Sequence, residues 1–417
     1  LTVAGYDVLG VERAYVGLSV AAAVDAYPRP PVDAPRQLAA VLARAPRLAT
    51  LHRSREQLRP VRVLARRAVP VRARPETASR LLVDTLPELA RALDLTVGRL
   101  LWLADTRGWN RSRGPSSPLH HHRHEWVRRP GRAPRLLEKP MEMLKRTQRT
   151  ILDELLVALP VHDAAHGFVA GRGVLSGARA HVGREVVVSA DLTSFFASVR
   201  APTVYGVFRA AGFAEPLAHV LTGICTHRVP PHVLTAMPDG GDPDERAALR
   251  RSLAEAHLPQ GAPTSPALAN LALRHLDARL DGWATAVDAT YTRYADDLAF
   301  SGGDRLARRT DAFLRGVDRI VREQGHRLNP RKTRVRRHGV RQSVTGVVVN
   351  ARTAPGRREV DRLHAELHNC VVHGPTSQNR SGHPAFREHL LGRIGWVEQV
   401  HPGRARRLRE EFARISW

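Results

Sequence analysis

The sequence predicts an α+β fold. Three observations point to it: apolar residues at three-and-four spacing through residues 86–103, short β-type runs on either side of Ala295-Asp296-Asp297 with a third run at 185–200, and a helical, basic tail after residue 356. There is no internal repeat and no Rossmann or P-loop glycine pattern.

Taken in order, residues 1–118 read as a mostly helical N-terminal extension, with proline and arginine at 28–35 and 60–75 separating short helices. Arg55, Arg59, Arg62 and Arg66 would share one helical face, but Pro60 interrupts it, so a nucleic-acid stripe and a solvated face both fit. The run Leu119-His120-His121-His122-Arg123-His124 offers metal ligands. Consecutive histidines alternate across a strand, however, and no second cluster in the sequence completes a shell, so no metal site is expected there. Arg129-Pro130-Gly131-Arg132 reads as a hairpin turn, followed by a helix over 141–158 that stops before Pro160. Residues 185–200, opening Glu185-Val186-Val187-Val188-Ser189-Ala190-Asp191 and running on through Phe195-Phe196, read as a buried strand, 228–257 as an inserted loop with a short helix, and Ser265–Leu280 as one helix. Residues 289–294 and 298–301 read as two strands meeting at the paired aspartates.

Composition narrows the function. At 417 residues and 43% hydrophobic the chain can bury a real core, and no apolar stretch reaches the roughly 18 residues of a membrane span. It shows no signal-peptide order, and two cysteines cannot build a disulfide framework, so a reduced, cytoplasmic setting is expected. The 65 Lys+Arg against 40 Asp+Glu leave a net charge of +25, which suits a polyanionic partner such as nucleic acid. Only Lys139, Lys145 and Lys332 are lysines, which singles each out for chemistry that arginine cannot do.

The chemistry concentrates in carboxylates. A β-turn between the two strands would expose Asp296 and Asp297 at a hairpin tip, where adjacent acids repel unless a cation lies between them. Asp191 ends another strand. Three carboxylates on neighbouring strand ends suit a pair of Mg²⁺ ions, which take hard oxygen ligands and leave positions for water and phosphate. An Asp-Asp pair alone is more often a solvated turn. The combination becomes specific with Leu258-Pro259-Gln260-Gly261-Ala262-Pro263-Thr264-Ser265-Pro266.

At this point the sequence resembles a reverse transcriptase. Asp191-Leu192-x-x-Phe195-Phe196-x-Ser198 is similar to polymerase motif A, Pro259-Gln260-Gly261-x-Pro263-x-Ser265-Pro266 to motif B, and Tyr294-Ala295-Asp296-Asp297 to motif C. Gly325-His326-Arg327-Leu328-Asn329-Pro330-Arg331-Lys332 resembles motif D and Val344-Thr345-Gly346 motif E, in the family's order. Within the family, bacterial retron enzymes resemble it most: they carry a Val-Thr-Gly box and an Asn-Ala-x-x-His box, the latter matched here by Gly177-Ala178-Arg179-Ala180-His181 with Gly in place of Asn. The resemblance covers about residues 84–417.

The resemblance implies a right-hand polymerase: a helical extension (1–118), fingers (119–190), a palm with the catalytic motifs (191–350) and a helical thumb (351–417). It implies that Asp191, Asp296 and Asp297, with the Leu192 carbonyl, hold Mg²⁺. Phe196 falls at the position where a ring excludes a ribose 2′-hydroxyl, with Phe195 filling the core. Gln260 and Gly261 would lie against the nucleotide, and Arg135 or Lys139 would hold its triphosphate. Lys332 would act as a general acid toward pyrophosphate, since lysine has a proton that can leave. His181, Val344, Thr345 and Gly346 would contact RNA or primer, His181 being equally readable as a satisfied loop histidine. Arg404 and Arg407, with Arg406 and Arg409, would meet phosphates of the duplex.

The implied function is RNA-templated DNA synthesis from deoxynucleoside triphosphates. For a retron type the template and primer are a dedicated structured non-coding RNA, the product is a branched RNA–DNA hybrid, and an effector protein acts with it in anti-phage defence. About 70 residues follow motif E, so neither an RNase H domain nor an endonuclease is expected. Two other readings remain: an intron or abortive-infection reverse transcriptase, and an inactive RNA-binding scaffold, which would be expected to have lost an acid.

Overall fold

In a computed structural model the described residues are 83–108, 114, 117 and 120–417, with isolated positions 17, 20, 21 and 39–41. The arginine-rich segment around Arg55–Arg66 lies outside the described residues. The helical reading of 86–103 is met by helices Leu86–Ala92 and Val97–Ala104. Thr85 and Glu88 form a capping box at the first, and the Thr96 hydroxyl accepts from Arg99 N–H at the second. No helix among the described residues is long and apolar enough to cross a membrane.

Packing divides the described chain into two units, each built from two stretches. The first runs to Leu159 and adds Arg200–Thr264. Its sheet is the antiparallel hairpin of β1 (His122–Arg129) and β2 (Arg132–Pro140), turned at Pro130-Gly131 as expected. Helix Glu142–Ile151 continues into a π-helical turn, Leu152–Leu156. Helices Ala201–Ala210, Glu215–Cys225, Pro231–Thr235 and Pro243–Ala254 complete the unit, so 228–257 holds two helices where one short helix was expected.

The second unit comprises Pro160–Val199 and Ser265–Trp417. It is centred on a four-stranded antiparallel sheet formed by β3 (Val186–Asp191), β4 (Thr290–Tyr294), β5 (Asp297–Gly302) and β6 (Arg334–Arg337), in the spatial order β4-β5-β3-β6. Val186, Val187 and Val188 are all fully buried, each stabilising by roughly 1.5–3 kcal/mol, because protein covers both faces of β3. Phe300 of β5 lies between Tyr291 (ring centroids 4.9 Å apart) and Phe313 (5.2 Å) of helix Thr310–Glu323. The helix expected over Ser265–Leu280 is two, Ser265–Ala272 and Arg274–Thr285, broken at Leu273. A two-strand hairpin, β7 (Ser343–Val344) and β8 (Val347–Val348), leads to helices Arg357–His373, Phe386–Val400 and Pro402–Ala413. These three share one core that includes Leu363, Leu367, Leu390, Ile394, Leu408 and Phe412.

The linear cut at residue 190 therefore does not follow the packing. Residues 160–190 pack with the four-stranded sheet, because β3 bonds to β5 and β6, while 200–264 pack with the β1–β2 hairpin.

Candidate active site

The carboxylates meet through strand register. In the β3–β5 pairing Asp191 stands opposite Asp297, and in the β4–β5 hairpin Tyr294 stands opposite Asp297, leaving Ala295-Asp296 as a two-residue turn. Asp297 thus opens β5 instead of sitting in the turn, and it is exposed while Asp296 is half-buried. Ala295 adopts a left-handed conformation (φ 54°), the strained geometry that a turn this tight demands. Leu192 N–H donates to the Asp296 carbonyl (2.9 Å) and Asn329 N–H to the Asp191 carbonyl (2.8 Å), so backbone bonds bring motifs A, C and D together.

Three carboxylates in one place need compensation. Lys332 provides part of it, its Nζ lying 2.6 Å from Asp191 Oδ2. Burial still raises the pKa of Asp191 above the usual carboxylate range, against the hydrogen bond from Lys332 and with further help from Asp296. Asp297 is pushed up to about 6, first by protein crowding one side of it and then by repulsion from Asp296 and Asp191. Its outer face remains in water, so desolvation is only partial. Oxygen donors that repel one another fit a hard divalent cation, and these residues could hold one.

The turn is buttressed by residues the sequence does not single out. Arg293, fully buried, makes a bidentate pair with Asp277 (Nε–Oδ1 2.8 Å, Nη2–Oδ2 2.6 Å). Its Nη1 donates to Asn270 Oδ1 (2.9 Å) and to the Ala295 carbonyl (3.2 Å) of the turn itself. Tyr291 donates its hydroxyl to Asp277 (2.9 Å), and Asn270 Nδ2 donates to the Gly167 carbonyl (2.8 Å). A Cβ on Gly167 would lie 2.7 Å from Ala295 N, so only glycine lets this segment lie against the turn. The signal available in the sequence was the arginine between Thr292 and Tyr294, an expensive residue in an otherwise buried strand.

The other expected residues divide. Phe195 is buried and Phe196 half-buried, with ring centroids 5.0 Å apart, as a core ring and an accessible ring require. In the first unit Gln260 accepts Glu138 N–H through its carbonyl (2.8 Å), and Gly261 (φ 126°) lies against the Glu138 carbonyl. Arg135 and Lys139 are exposed on the same face of β2, and Lys139 pairs with Glu125. Arg404, Arg406 and Arg407 are exposed on helix Pro402–Ala413 with no acid paired to them among the described residues, whereas Arg409 is held by Glu398.

Two RNA-contact expectations are corrected. His181 has no exposed surface: Nδ1 bonds Ser301 Oγ and Nε2 bonds Thr292 Oγ1, each at 2.7 Å, so it ties β4 to β5 and cannot reach RNA. Val344 packs its side chain into a core with Val187, Ala299, Val347 and Val349, leaving only Thr345-Gly346 of that box accessible. These two form the β7–β8 turn, both with positive φ (46° and 88°), a costly state for β-branched Thr345. The Thr345 hydroxyl is buried without a partner. It lines a cavity of about 220 Å³ shared with Gly346, Asp297, Lys332, Tyr294 and Ser189. The histidine run gains neighbours that the sequence does not place beside it: His227 meets His122 and His124, and His257 lies near His122, each from a separate loop.

Comparisons with known proteins agree with this geometry. The family described as reverse transcriptase (RNA-dependent DNA polymerase) matches residues 127–357, more than half of the chain. The retron Mx65 reverse transcriptase of Myxococcus xanthus is 41% identical over 66% of this chain and 60% of that protein. The retron Mx162 reverse transcriptase of the same organism is 36% identical over 78% of this chain and 65% of that protein. The retron Ec86 reverse transcriptase of Escherichia coli is 28% identical over 67% of this chain and 76% of that protein. The chain thus spans less than two thirds of the length of either Myxococcus protein. With motifs A, C and D converging on one group of carboxylates and the family match running through all of them, the chain belongs to the reverse transcriptase family.

Proposed function

We propose that this chain synthesises DNA on an RNA template from deoxynucleoside triphosphates, with Mg²⁺ held by Asp191, Asp296, Asp297 and the Leu192 carbonyl. What carries the proposal is the register pairing of Asp191 with Asp297, which sets three carboxylates at one end of the sheet beside a lysine. Hard cations bound there would supply the charge that activates a primer hydroxyl and stabilises departing pyrophosphate. The chain's own groups do the rest. Lys332 Nζ holds a proton that it can deliver to the leaving pyrophosphate oxygen. The Phe196 ring excludes a 2′-hydroxyl. For Gln260 and Gly261, and for Arg135 or Lys139, all in the first unit, we keep the nucleotide-binding roles that the resemblance implies. The cavity between Asp297 and the Thr345-Gly346 turn receives the primer end, and Arg404 and Arg407 take duplex phosphates.

We assign the four-stranded sheet to the palm, the β1–β2 hairpin to the fingers and the last three helices to the thumb. Because the relatives are retron reverse transcriptases by name, we extend the proposal to what the retron resemblance implies: a dedicated structured non-coding RNA as template and primer, a branched RNA–DNA product, and work in the cytoplasm with an effector protein in anti-phage defence. Expression with the native genomic neighbourhood tests it. One discrete RNA joined to DNA should co-purify, and RNase followed by a debranching enzyme should release a short single-stranded DNA of defined length. Heterogeneous RNA without DNA would refute polymerisation, and DNA free of linked RNA would refute the branched product.

A further inference from the structure

The histidine run takes no part in the polymerase chemistry, yet it is the start of a built site. His122 and His124 lie two residues apart on β1 and so face the same way. Glu138 of β2 stands directly across from His124 in the hairpin register. His227, just after helix Glu215–Cys225, brings its Nε2 to 2.9 Å from His124 Nε2. One ligand atom from each of His124, Glu138 and His227 lies within 4.8 Å of the others.

A second layer holds these groups. His257 Nδ1 lies 2.7 Å from the Glu255 carbonyl and must carry a proton to donate to it. Its Nε2 lies 3.0 Å from Glu138 Oε1, fixing that carboxylate. Glu138 Oε2 is left buried with no hydrogen-bond partner. His122, 7% exposed, stacks on His227 with ring centroids 4.0 Å apart, and neither of its ring nitrogens has a partner. Buried polar atoms are almost always paired, and a hydrogen-bonded histidine cluster offers nothing to Glu138 Oε2. A cation among these atoms would.

The geometry also suits one. Metal–nitrogen bonds of about 2.0–2.1 Å at a tetrahedral angle put two ligating nitrogens roughly 3.3 Å apart, within a few tenths of an ångström of the observed separation. Imidazole ligands favour zinc-class ions over Mg²⁺ or Ca²⁺, and a carboxylate ligand held by a second-layer histidine is a familiar support. We propose that His124, His227 and Glu138 bind a divalent transition-metal ion of the zinc class, with His257 positioning Glu138 and His122 beside the fourth coordination place.

The ion would be structural. It would pin the β1–β2 hairpin to the segments carrying His227 and His257, which themselves pair through backbone bonds of 2.8 and 3.0 Å. Glu138 bonds Gln260 through its backbone, and a Cβ on Gly261 would lie 3.2 Å from its carbonyl. The metal would therefore steady the motif B loop from behind.

The test uses the full chain, purified without chelator and with any affinity tag removed. Elemental analysis should find roughly one zinc-class ion per chain. Asp296→Asn with Asp297→Asn should keep that ion, whereas His124→Gln and Glu138→Gln should each lose it. Stripping wild type with a chelator should lower its melting temperature, with recovery on Zn²⁺ and none on Mg²⁺. Should the variants prove insoluble, titrating stripped wild type with Co²⁺ decides, since imidazole ligation in a tetrahedral site gives intense visible bands. Absence of retained metal together with absence of those bands would overturn the proposal, as would full metal content in both soluble variants.

Discussion

Arg293 sets the sharpest test of how the fold builds the site. Replacing it by Met keeps most of the volume but leaves the Asp277 carboxylate buried and unpaired, having lost both arms of a bidentate contact at 2.8 and 2.6 Å. Breaking a fully buried pair from one side costs roughly 3–5 kcal/mol. The Asn270 Oδ1 and Ala295 carbonyl acceptors lose a donor as well, each adding about 1 kcal/mol. Replacing both partners, Arg293→Met with Asp277→Leu, removes the stranded charge and should recover most of the loss, because the penalty lies in the unpaired ion more than in the missing bond. Urea unfolding gives the comparison, read as midpoint at constant slope. Because Arg293 holds the carbonyl immediately before Asp296, the single variant should also need more Mg²⁺ for half-maximal DNA synthesis. A loss below about 1 kcal/mol, or a double variant no more stable than the single, would refute the account of the buried network.

Three further outcomes are expected. Phe196→Ala should raise ribonucleotide incorporation relative to deoxynucleotide in single-nucleotide assays, and an unchanged ratio would remove the ring from sugar selection. Lys332→Arg keeps the charge beside Asp191 but loses a proton that can leave, so nucleotide affinity should persist while the single-turnover rate drops by roughly 10²-fold; a rate equal to wild type would exclude proton delivery by Lys332. His181, buried and lowered to about 4 chiefly by desolvation, stays neutral when folded but protonates near 6.5 when unfolded. Its contribution is present in full above pH 6.5 and fades as pH falls toward 4, about 3 kcal/mol in all, so His181→Gln should flatten the acid side of the stability profile, and identical profiles would contradict this.

Much of the catalytic centre is legible in the sequence because its logic is local. Apolar runs on both sides of Ala295-Asp296-Asp297 specify a hairpin, and Asp191 closes a valine run that had to be a buried strand. What could not be read is what depends on contacts across the fold. Arg293 lies in a strand pattern, but its partner Asp277 is on a helix, and only their meeting makes a buried guanidinium tolerable. His181 looks like a loop residue until Thr292 and Ser301 close on it from two strands. The histidine run stands alone in the sequence because its neighbours arrive one at a time, Glu138 across a hairpin and His227 and His257 from loops. The break at Leu273 has no glycine or proline to announce it.

The central claim is that Asp191, Asp296 and Asp297 together form a polymerase centre. Primer extension on an RNA template with deoxynucleoside triphosphates and Mg²⁺, comparing wild type with Asp296→Asn/Asp297→Asn, tests it most directly. The asparagine pair fills the same space and relieves the repulsion that raises Asp297, so the urea midpoint should be no lower than wild type and RNA affinity should persist while extension products disappear. Extension persisting in a folded, RNA-binding double variant would contradict the assignment.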